Sequence, residues 1–336
     1  MSRKTVARLK SLVVVVMMIG GGLVFLSSCA MSSRTPLRLI SEDYVVYRLQ
    51  KGEMPVTLAE RFLGDHKRSW VVEDANKGVS FKKGQIVVIP LKDENKAGLS
   101  ADGFQVVPIL VYHRFADDCD GPLCLSARIF DQQMRYLKEN GYRVVACSEL
   151  LSFLEYRHAL PEKAVVITID DGYRSAYNIA YPILKKYGFT ATLFIYTDFV
   201  GAGRNAITWD QLSEMRAHGF EVGGHTMSHA DLTQQKEGED LQTHKARIER
   251  ELRLSKQIID ERLRQNTIFL AFPYGRYDET ILRMCERFGY EMAVSVKRGS
   301  NAFFVDPMTL RRNQVLTKDM STFVSKLKTF HRVSLR

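Results

Sequence analysis

Ala164-Val165-Val166-Ile167-Thr168-Ile169-Asp170-Asp171-Gly172 sets five β-branched residues in a row and ends them in two carboxylates and a glycine. Such a run is a buried strand, and it delivers Asp170 and Asp171 to its carboxyl end. In parallel α/β folds that end is where sites are built. Adjacent side chains on an extended chain point to opposite sides, so one carboxylate can hold a metal while the other handles a proton. Taken alone, the segment reads first as a solvated Asp-Asp-Gly turn.

Around this strand, from residue 104 to the end, extended apolar runs alternate with helical ones. Candidate strands are 106–112, 142–146, 164–169, 190–196, 220–223, 267–272, 291–296 and 310–315. Candidate helices are 127–140, 175–187, 209–218, 241–264 and 279–288. That alternation predicts an α/β fold with a parallel sheet or barrel. Ile248, Leu252, Ile259 and Leu263 form one stripe of the long helix, and its many charges are expected on a solvated face.

Two further segments bring chemistry to strand ends. His225-Thr226-Met227-Ser228-His229 follows the strand at 220–223, and a helical turn there would set both rings on one side. Asp171, His225 and His229 together would hold one cation and leave coordination positions open for water and substrate. Phe269-Leu270-Ala271-Phe272-Pro273-Tyr274-Gly275 is a strand running into a turn that can bare a backbone N–H toward a cleft.

Thr168-Ile169-Asp170-Asp171-Gly172, His225-Thr226-Met227-Ser228-His229 and Phe272-Pro273-Tyr274-Gly275, in that order, resemble three motifs of NodB-type polysaccharide deacetylases, carbohydrate esterase family four. The likeness spans 106–316 and includes Pro108-Ile109-Leu110-Val111-Tyr112-His113 and Thr208-Trp209-Asp210. It implies a distorted (β/α) barrel and removal of acetyl groups from N-acetylated sugars with a divalent metal, zinc by preference. On this reading Asp171, His225 and His229 are metal ligands, Asp170 is the base, and the Tyr274 N–H holds the oxyanion. Pro273 and Trp209 are expected at the sugar cleft. A late Leu-x-His motif, which supplies the acid in many relatives, has no convincing counterpart; His331 follows Thr329-Phe330 near the terminus. His113, at the end of its strand, is the candidate acid or substrate contact. Ala271 stands where many relatives carry an Arg that steadies the catalytic Asp. Arg311 or Arg312 is the candidate replacement, with Arg312 also taken as a substrate contact.

The rest of the 336 residues supplies context. Apolar residues make up 45% and charged residues 26%, which excludes a disordered or collagen-like chain. The net charge is +10, but four of the positive charges, Arg3, Lys4, Arg8 and Lys10, precede an apolar run over 12–26. This is the layout of an export signal, and Leu26-Ser27-Ser28-Cys29 resembles a bacterial lipobox with Cys29 as the lipidated residue. The organisation expected is therefore a lipoprotein signal peptide at 1–28, a tether at 29–43, a small domain at 44–91, a linker at 92–103 and the deacetylase domain at 104–336. Anchoring in the cell envelope follows, with Ala30 favouring an outer membrane facing the periplasm. No helix-turn-helix, zinc-finger or RNA-binding signature is present, so nucleic acid is not expected as a partner.

In the small domain, strands at 44–49 and 85–90 enclose helices at 57–63 and 70–76, an α+β (βααβ) unit. Tyr44-Val45-Val46-Tyr47, Lys51-Gly52-Glu53, Leu58-Ala59-Glu60-Arg61-Phe62, Asp74-Ala75-Asn76 and Gly84-Gln85-Ile86-Val87-Val88-Ile89-Pro90 resemble a LysM module. That family binds N-acetylglucosamine-containing glycans, which makes peptidoglycan the expected substrate. A poly-N-acetylglucosamine exopolysaccharide is the alternative, and a non-catalytic wall-binding lipoprotein is the alternative of another class. Of five cysteines, Cys119 and Cys124 flank a turn-rich stretch and are either disulfide-bonded or free, while Cys147 and Cys285 read as buried small hydrophobes.

Overall fold

The computed structural model describes residues 38–93, 95–119, 121–316 and 319–333. The expected signal peptide and Cys29 lie outside the described residues. The amino-terminal unit comprises β1 (Arg38–Ile40), β2 (Tyr44–Arg48), α1 (Pro55–Leu63), α2 (Ser69–Ala75) and β3 (Ile86–Pro90), with an antiparallel sheet ordered β1-β2-β3. Helix α1 begins at a proline, where the missing N–H costs nothing, and stops at Gly64, whose φ of 71° needs no Cβ to be accommodated. Val45, Tyr47, Leu58, Val72, Val87 and Ile89 close a core of their own. β1 lies inside the stretch expected to be a tether; its backbone pairs with β2, from Arg38 against Tyr47 to Ile40 against Val45.

The remaining elements are β4 (Leu99–Ser100), β5 (Gly103–Tyr112), β6 (Arg114–Ala116), β7 (Cys124–Ser126), α3 (Ala127–Glu139), β8 (Arg143–Val144), α4 (Cys147–Leu154) and β9 (Ala164–Asp171). A π-turn, Ala176–Ala180, leads into α5 (Tyr181–Tyr187), followed by β10 (Thr192–Ile195), α6 (Trp209–Ala217), β11 (Glu221–Gly224), α7 (Leu241–Leu263) and β12 (Phe269–Ala271). Last come α8 (Glu279–Arg287), β13 (Met292–Val294), β14 (Ser300–Ala302), β15 (Asn313–Gln314), α9 (Met320–Ser325) and β16 (Phe330–Arg332).

Strands β5, β9, β10, β11, β12 and β13 are neighbours in that order and all parallel. The sheet then curls back on itself. Leu310 bridges Val294 on β13, and three residues later Asn313 pairs with Leu110 on β5, so the segment 310–314 closes a distorted (β/α) barrel. The strand expected at 310–315 is thus only two residues long, because its first half serves one wall and its second half the other. β14 and β16 add antiparallel strands to β5, and β4, from the end of the expected linker, pairs with β5 as well.

Val107, Ile109, Val166, Phe194, Ala271, Met292, Val294 and Leu310 share one cluster with Leu150, Leu151, Phe153 and Leu154 of α4, a helix not expected from the sequence. α4 therefore plugs the end of the barrel at which the strands begin. A second cluster packs α3, α5, α6 and α7 against the outer face of the sheet. Gly223 is required by this packing: a Cβ there would stand 2.6 Å from the Phe194 ring and 2.9 Å from the Phe269 carbonyl oxygen. Cys119 and Cys124 form a disulfide with Cα atoms 5.3 Å apart, and Cys147 and Cys285 are buried free thiols.

The amino-terminal unit docks on the plugged end. Lys67 reaches Ser148 at 3.1 Å and Glu221 at 3.4 Å, while Arg143 forks Glu73 and Asp74 at 2.6 and 3.0 Å. Arg143 and Glu221 are the first residues of β8 and β11. The contact is therefore at the pole opposite the strand ends that carry Asp171 and His225.

Candidate active site

Parallel pairing sets the mouth of the barrel. Tyr112 on β5 is level with Ile169 on β9, and Ile195 on β10 is level with both Asp171 and Gly224. His113, Asp170, Asp171 and His225 therefore leave their strands at one height. Of six non-glycine residues with positive φ among the described residues, four belong here: Asp171 (75°), Thr226 (66°), His229 (62°) and Tyr274 (58°). Such backbone costs of order 1–3 kcal/mol each and persists only where the surroundings over-determine it, a pattern that clusters at functional sites.

The Asp171 carboxylate stands 3.6 Å from His225 Nε2 and 3.5 Å from His229 Nε2. One ligand atom from each of the three residues lies within 4.8 Å of the others. Ligands about 2.1 Å from a shared zinc stand roughly 3.0–3.4 Å apart, so the donor set and its spacing fit a divalent cation. His225 Nδ1 donates to the Ala271 carbonyl at 2.7 Å, because a carbonyl can only accept, and this turns Nε2 toward Asp171. Burial lowers the His225 pKa, but the Asp171 hydrogen bond and the two aspartate charges outweigh it and raise it above the ordinary value. His229 is held below the ordinary value by burial and by the nearby His225.

Asp170 is buried, and burial by itself would raise its pKa; the Arg312 charge and hydrogen bonds prevail and hold it below the usual carboxylate value. Arg312 meets it as a fork, Nη1 to Oδ1 at 2.7 Å and Nη2 to Oδ2 at 2.6 Å. Nη1 also donates to Thr168 Oγ1 at 3.0 Å and Nε to the Ser295 carbonyl at 2.9 Å. Arg312 is 0% exposed, inside the barrel and 5.7 Å above the Phe194 ring. Its assignment as a substrate contact is thus corrected: no solvent or sugar reaches the guanidinium, which instead stands beside Asp170 in place of the Arg absent at Ala271. The sequence alone left Arg311 and Arg312 tied. The barrel separates them: Arg312 turns inward and is fully buried, while Arg311 beside it is exposed.

Tyr274 sits in the turn Pro273–Gly275, with Pro273 buried and the Tyr274 ring 58% exposed and 4.9 Å from the His229 ring. Tyr196 packs 5.4 Å from His229 on another side and stacks on Phe199. His113 is half-buried; burial lowers its pKa, while the charges of Asp170 and Asp171 pull the other way. Trp209 is half-buried at the start of α6 and packs on the outer core. His331 lies on β16 against Phe104, at the early end of β5 and away from this mouth. Glu251, whose helix was expected to turn its charges to solvent, is 5% exposed and takes part in the site's support. Its place in the sequence carried the signal: it stands three residues after Ile248, on the apolar stripe of α7.

A cavity of about 490 Å³ lies elsewhere, between the amino-terminal unit and the barrel, with Trp70, Arg143 and Glu149 among its walls. His66, His218 and Glu73 also line it, but among the described residues the group spaced to hold a metal is Asp171, His225 and His229, at the opposite pole.

A family model for polysaccharide deacetylase matches residues 157–293. YxkH of Bacillus subtilis, assigned by name to the polysaccharide deacetylases, is 32% identical over 219 residues, which are 65% of this chain and 75% of that one. The poly-β-1,6-N-acetyl-D-glucosamine N-deacetylase of Staphylococcus aureus is 26% identical over 191 residues, 54% of this chain and 66% of its own. Among solved structures, the Streptococcus pyogenes deacetylase PplD in complex with acetate superposes with a TM-score of 0.61 at 30% identity, covering 66% of this chain and 98% of that one. IcaB from Ammonifex degensii gives 0.59 at 26%, covering 68% and 98%. With identity of 30% across nearly the whole of one solved deacetylase, and of 32% across three quarters of a curated one, this protein belongs to the polysaccharide deacetylases, hydrolases of amide bonds.

Proposed function

We propose that the protein is a metal-dependent N-deacetylase of an N-acetylglucosamine-containing envelope polysaccharide, with peptidoglycan as the favoured polymer. The observation that carries the reading is the convergence of Asp171, His225 and His229 beside a carboxylate held ionised by Arg312. A divalent cation, zinc by preference, supplies a polarised acetamide carbonyl and an acidified water when bound to these three residues. Asp170 takes one proton from the attacking water, and the Tyr274 N–H stabilises the charge that develops on the carbonyl oxygen. The C–N bond then breaks to give acetate and a free amine on the sugar. The proton that Asp170 removed returns to the leaving nitrogen, with His113 at the same mouth as the candidate group to deliver it. Tyr274 and Tyr196 offer ring faces to the sugar.

The LysM-like amino-terminal unit supports peptidoglycan, since a weak glycan binder joined to an enzyme raises the local substrate concentration. Cys29, as the lipid attachment site, would place the enzyme at a membrane surface of the cell envelope, the outer membrane facing the periplasm. A second reading, a poly-N-acetylglucosamine exopolysaccharide, is favoured by the likeness to the staphylococcal poly-β-1,6-N-acetyl-D-glucosamine N-deacetylase.

Zinc-loaded protein and Asp170→Asn are to be incubated with purified peptidoglycan, poly-β-1,6-N-acetylglucosamine and chitooligosaccharide, with released acetate measured. Release by the wild type alone is expected, with the faster polymer naming the substrate. Binding without acetate release on any of the three would instead point to a wall-binding role.

A further inference from the structure

The turn 225–229 has to bring two imidazoles onto Asp171 through backbone that two of its residues, Thr226 and His229, adopt only at a cost. Three supports hold it. Thr226 Oγ1 accepts from the His229 N–H at 3.0 Å, inside the turn. From the segment after β10, the Asp198 N–H donates to the Met227 carbonyl at 2.9 Å, and Thr197 donates to the Thr226 carbonyl at 3.3 Å. The third support comes from α7, more than twenty residues later in the chain. Glu251 Oε2 accepts from both the Met227 and Ser228 N–H groups at 2.9 Å, and Oε1 accepts from the Ser228 hydroxyl at 2.6 Å.

A carboxylate on the apolar stripe of a helix, beside Leu252 and Ser255 and 5% exposed, is expensive unless hydrogen bonds compensate it. Here all three donors come from the two residues immediately before His229. Glu251 touches neither imidazole and faces no substrate, so it acts only through the turn. The packing around it is tight: a Cβ at Gly224, directly before His225, would approach Tyr290 Oη at 3.2 Å and Ser255 Oγ at 3.4 Å. α7 is thereby fixed at one distance from β11, and its carboxylate at one height beneath the turn.

We propose that Glu251 is a positioning residue that locks the turn between His225 and His229, so that both Nε2 atoms face Asp171 before a cation arrives. The proposal rests on the reading of Asp171, His225 and His229 as a metal site. It places in α7 part of the affinity of a centre whose ligands all lie at strand ends. Outer-shell partners of this kind set metal affinity by roughly 10–100-fold.

The test is zinc affinity by competition with a chromophoric chelator, together with the visible absorption of the cobalt(II)-substituted protein, which reports ligand geometry rather than turnover. Glu251→Ala is expected to weaken zinc binding about tenfold or more and to change the cobalt spectrum. Glu251→Gln keeps an oxygen for the two N–H groups and offers its amide to the Ser228 hydroxyl, and should restore affinity to within about threefold. Should Glu251→Ala not fold, Ser228→Ala removes one of the three bonds and is expected to weaken zinc by a few-fold. Wild-type affinity and an unaltered cobalt spectrum in folded Glu251→Ala, or in Ser228→Ala if that variant is needed, overturn the proposal. Wild-type protein that binds no zinc overturns the metal reading and, with it, this one.

Discussion

Arg312 and Asp170 form the ion pair on which the proposed chemistry turns, and both are out of contact with solvent. A buried charge left without its partner costs about 3–5 kcal/mol, so Arg312→Ala should be destabilised on that scale in urea unfolding. The milder Arg312→Lys keeps the charge but loses the two-pronged geometry, and Asp170 then drifts back toward the ordinary carboxylate value. A base must be ionised to act. Raising its pKa therefore moves the acid limb of kcat/KM to higher pH, by on the order of one unit at saturating zinc. A profile of Arg312→Lys that superimposes on the wild type would show that Asp170 is not the group titrating in that limb. The depressed carboxylate also stabilises the fold above its unfolded pKa, and that contribution fades as pH falls through the folded value.

At the scale of elements, α4 joins barrel closure to the docking surface. Its first turn is capped by Glu149, whose Oε2 accepts from the Ala146 N–H at 2.8 Å. Burial pushes this carboxyl from 4.5 up to about 7, with Asp65 and Glu221 adding to the rise and Lys67 opposing it. An acid raised on folding contributes stability that is complete below its unfolded pKa and is lost as pH climbs through the folded one. The wild type should therefore lose stability between about pH 4.5 and pH 7 and level off above. Glu149→Gln keeps the cap and removes the titration. It should match the wild type at pH 4.5 and exceed it by on the order of 2 kcal/mol at pH 8.5, measured as the shift in urea midpoint. Equal midpoints at pH 8.5 would mean that the carboxyl pays no desolvation cost.

Across the whole molecule, the amino-terminal unit and the chemistry occupy opposite poles. β9 runs eight residues from one to the other, a rise of roughly 25 Å. On the proposed reading, a glycan held by the unit and the acetamide being cleaved would belong to well-separated sugars, so docking should matter for a polymer and little for a short oligomer. Replacing Lys67 and Arg143 together by Ala removes contacts to Ser148, Glu221, Glu73 and Asp74. The expected result is turnover of chitotetraose within about twofold of wild type, with slower acetate release from insoluble polymer. An equal loss on both would mean that the docked unit shapes the catalytic mouth itself.

The three motifs, the parallel α/β class and the strand ends that carry Asp170, Asp171, His225 and His229 were legible in the chain, because each depends on local periodicity and on a few residues close in sequence. The βααβ unit was legible for the same reason, apart from β1, whose backbone pairing leaves no mark in a polar stretch. What tertiary structure alone decided depends on separations that no local pattern encodes. Arg312 faces Asp170 across 142 residues because the segment 310–314 closes the barrel between β13 and β5. Glu251 reaches the turn at Met227 and Ser228 because Gly224 lets α7 lie close to β11. In both cases a charge that looks like solvated surface in one dimension is buried in three, where the only way to offset its desolvation is the partner that the fold brings to it.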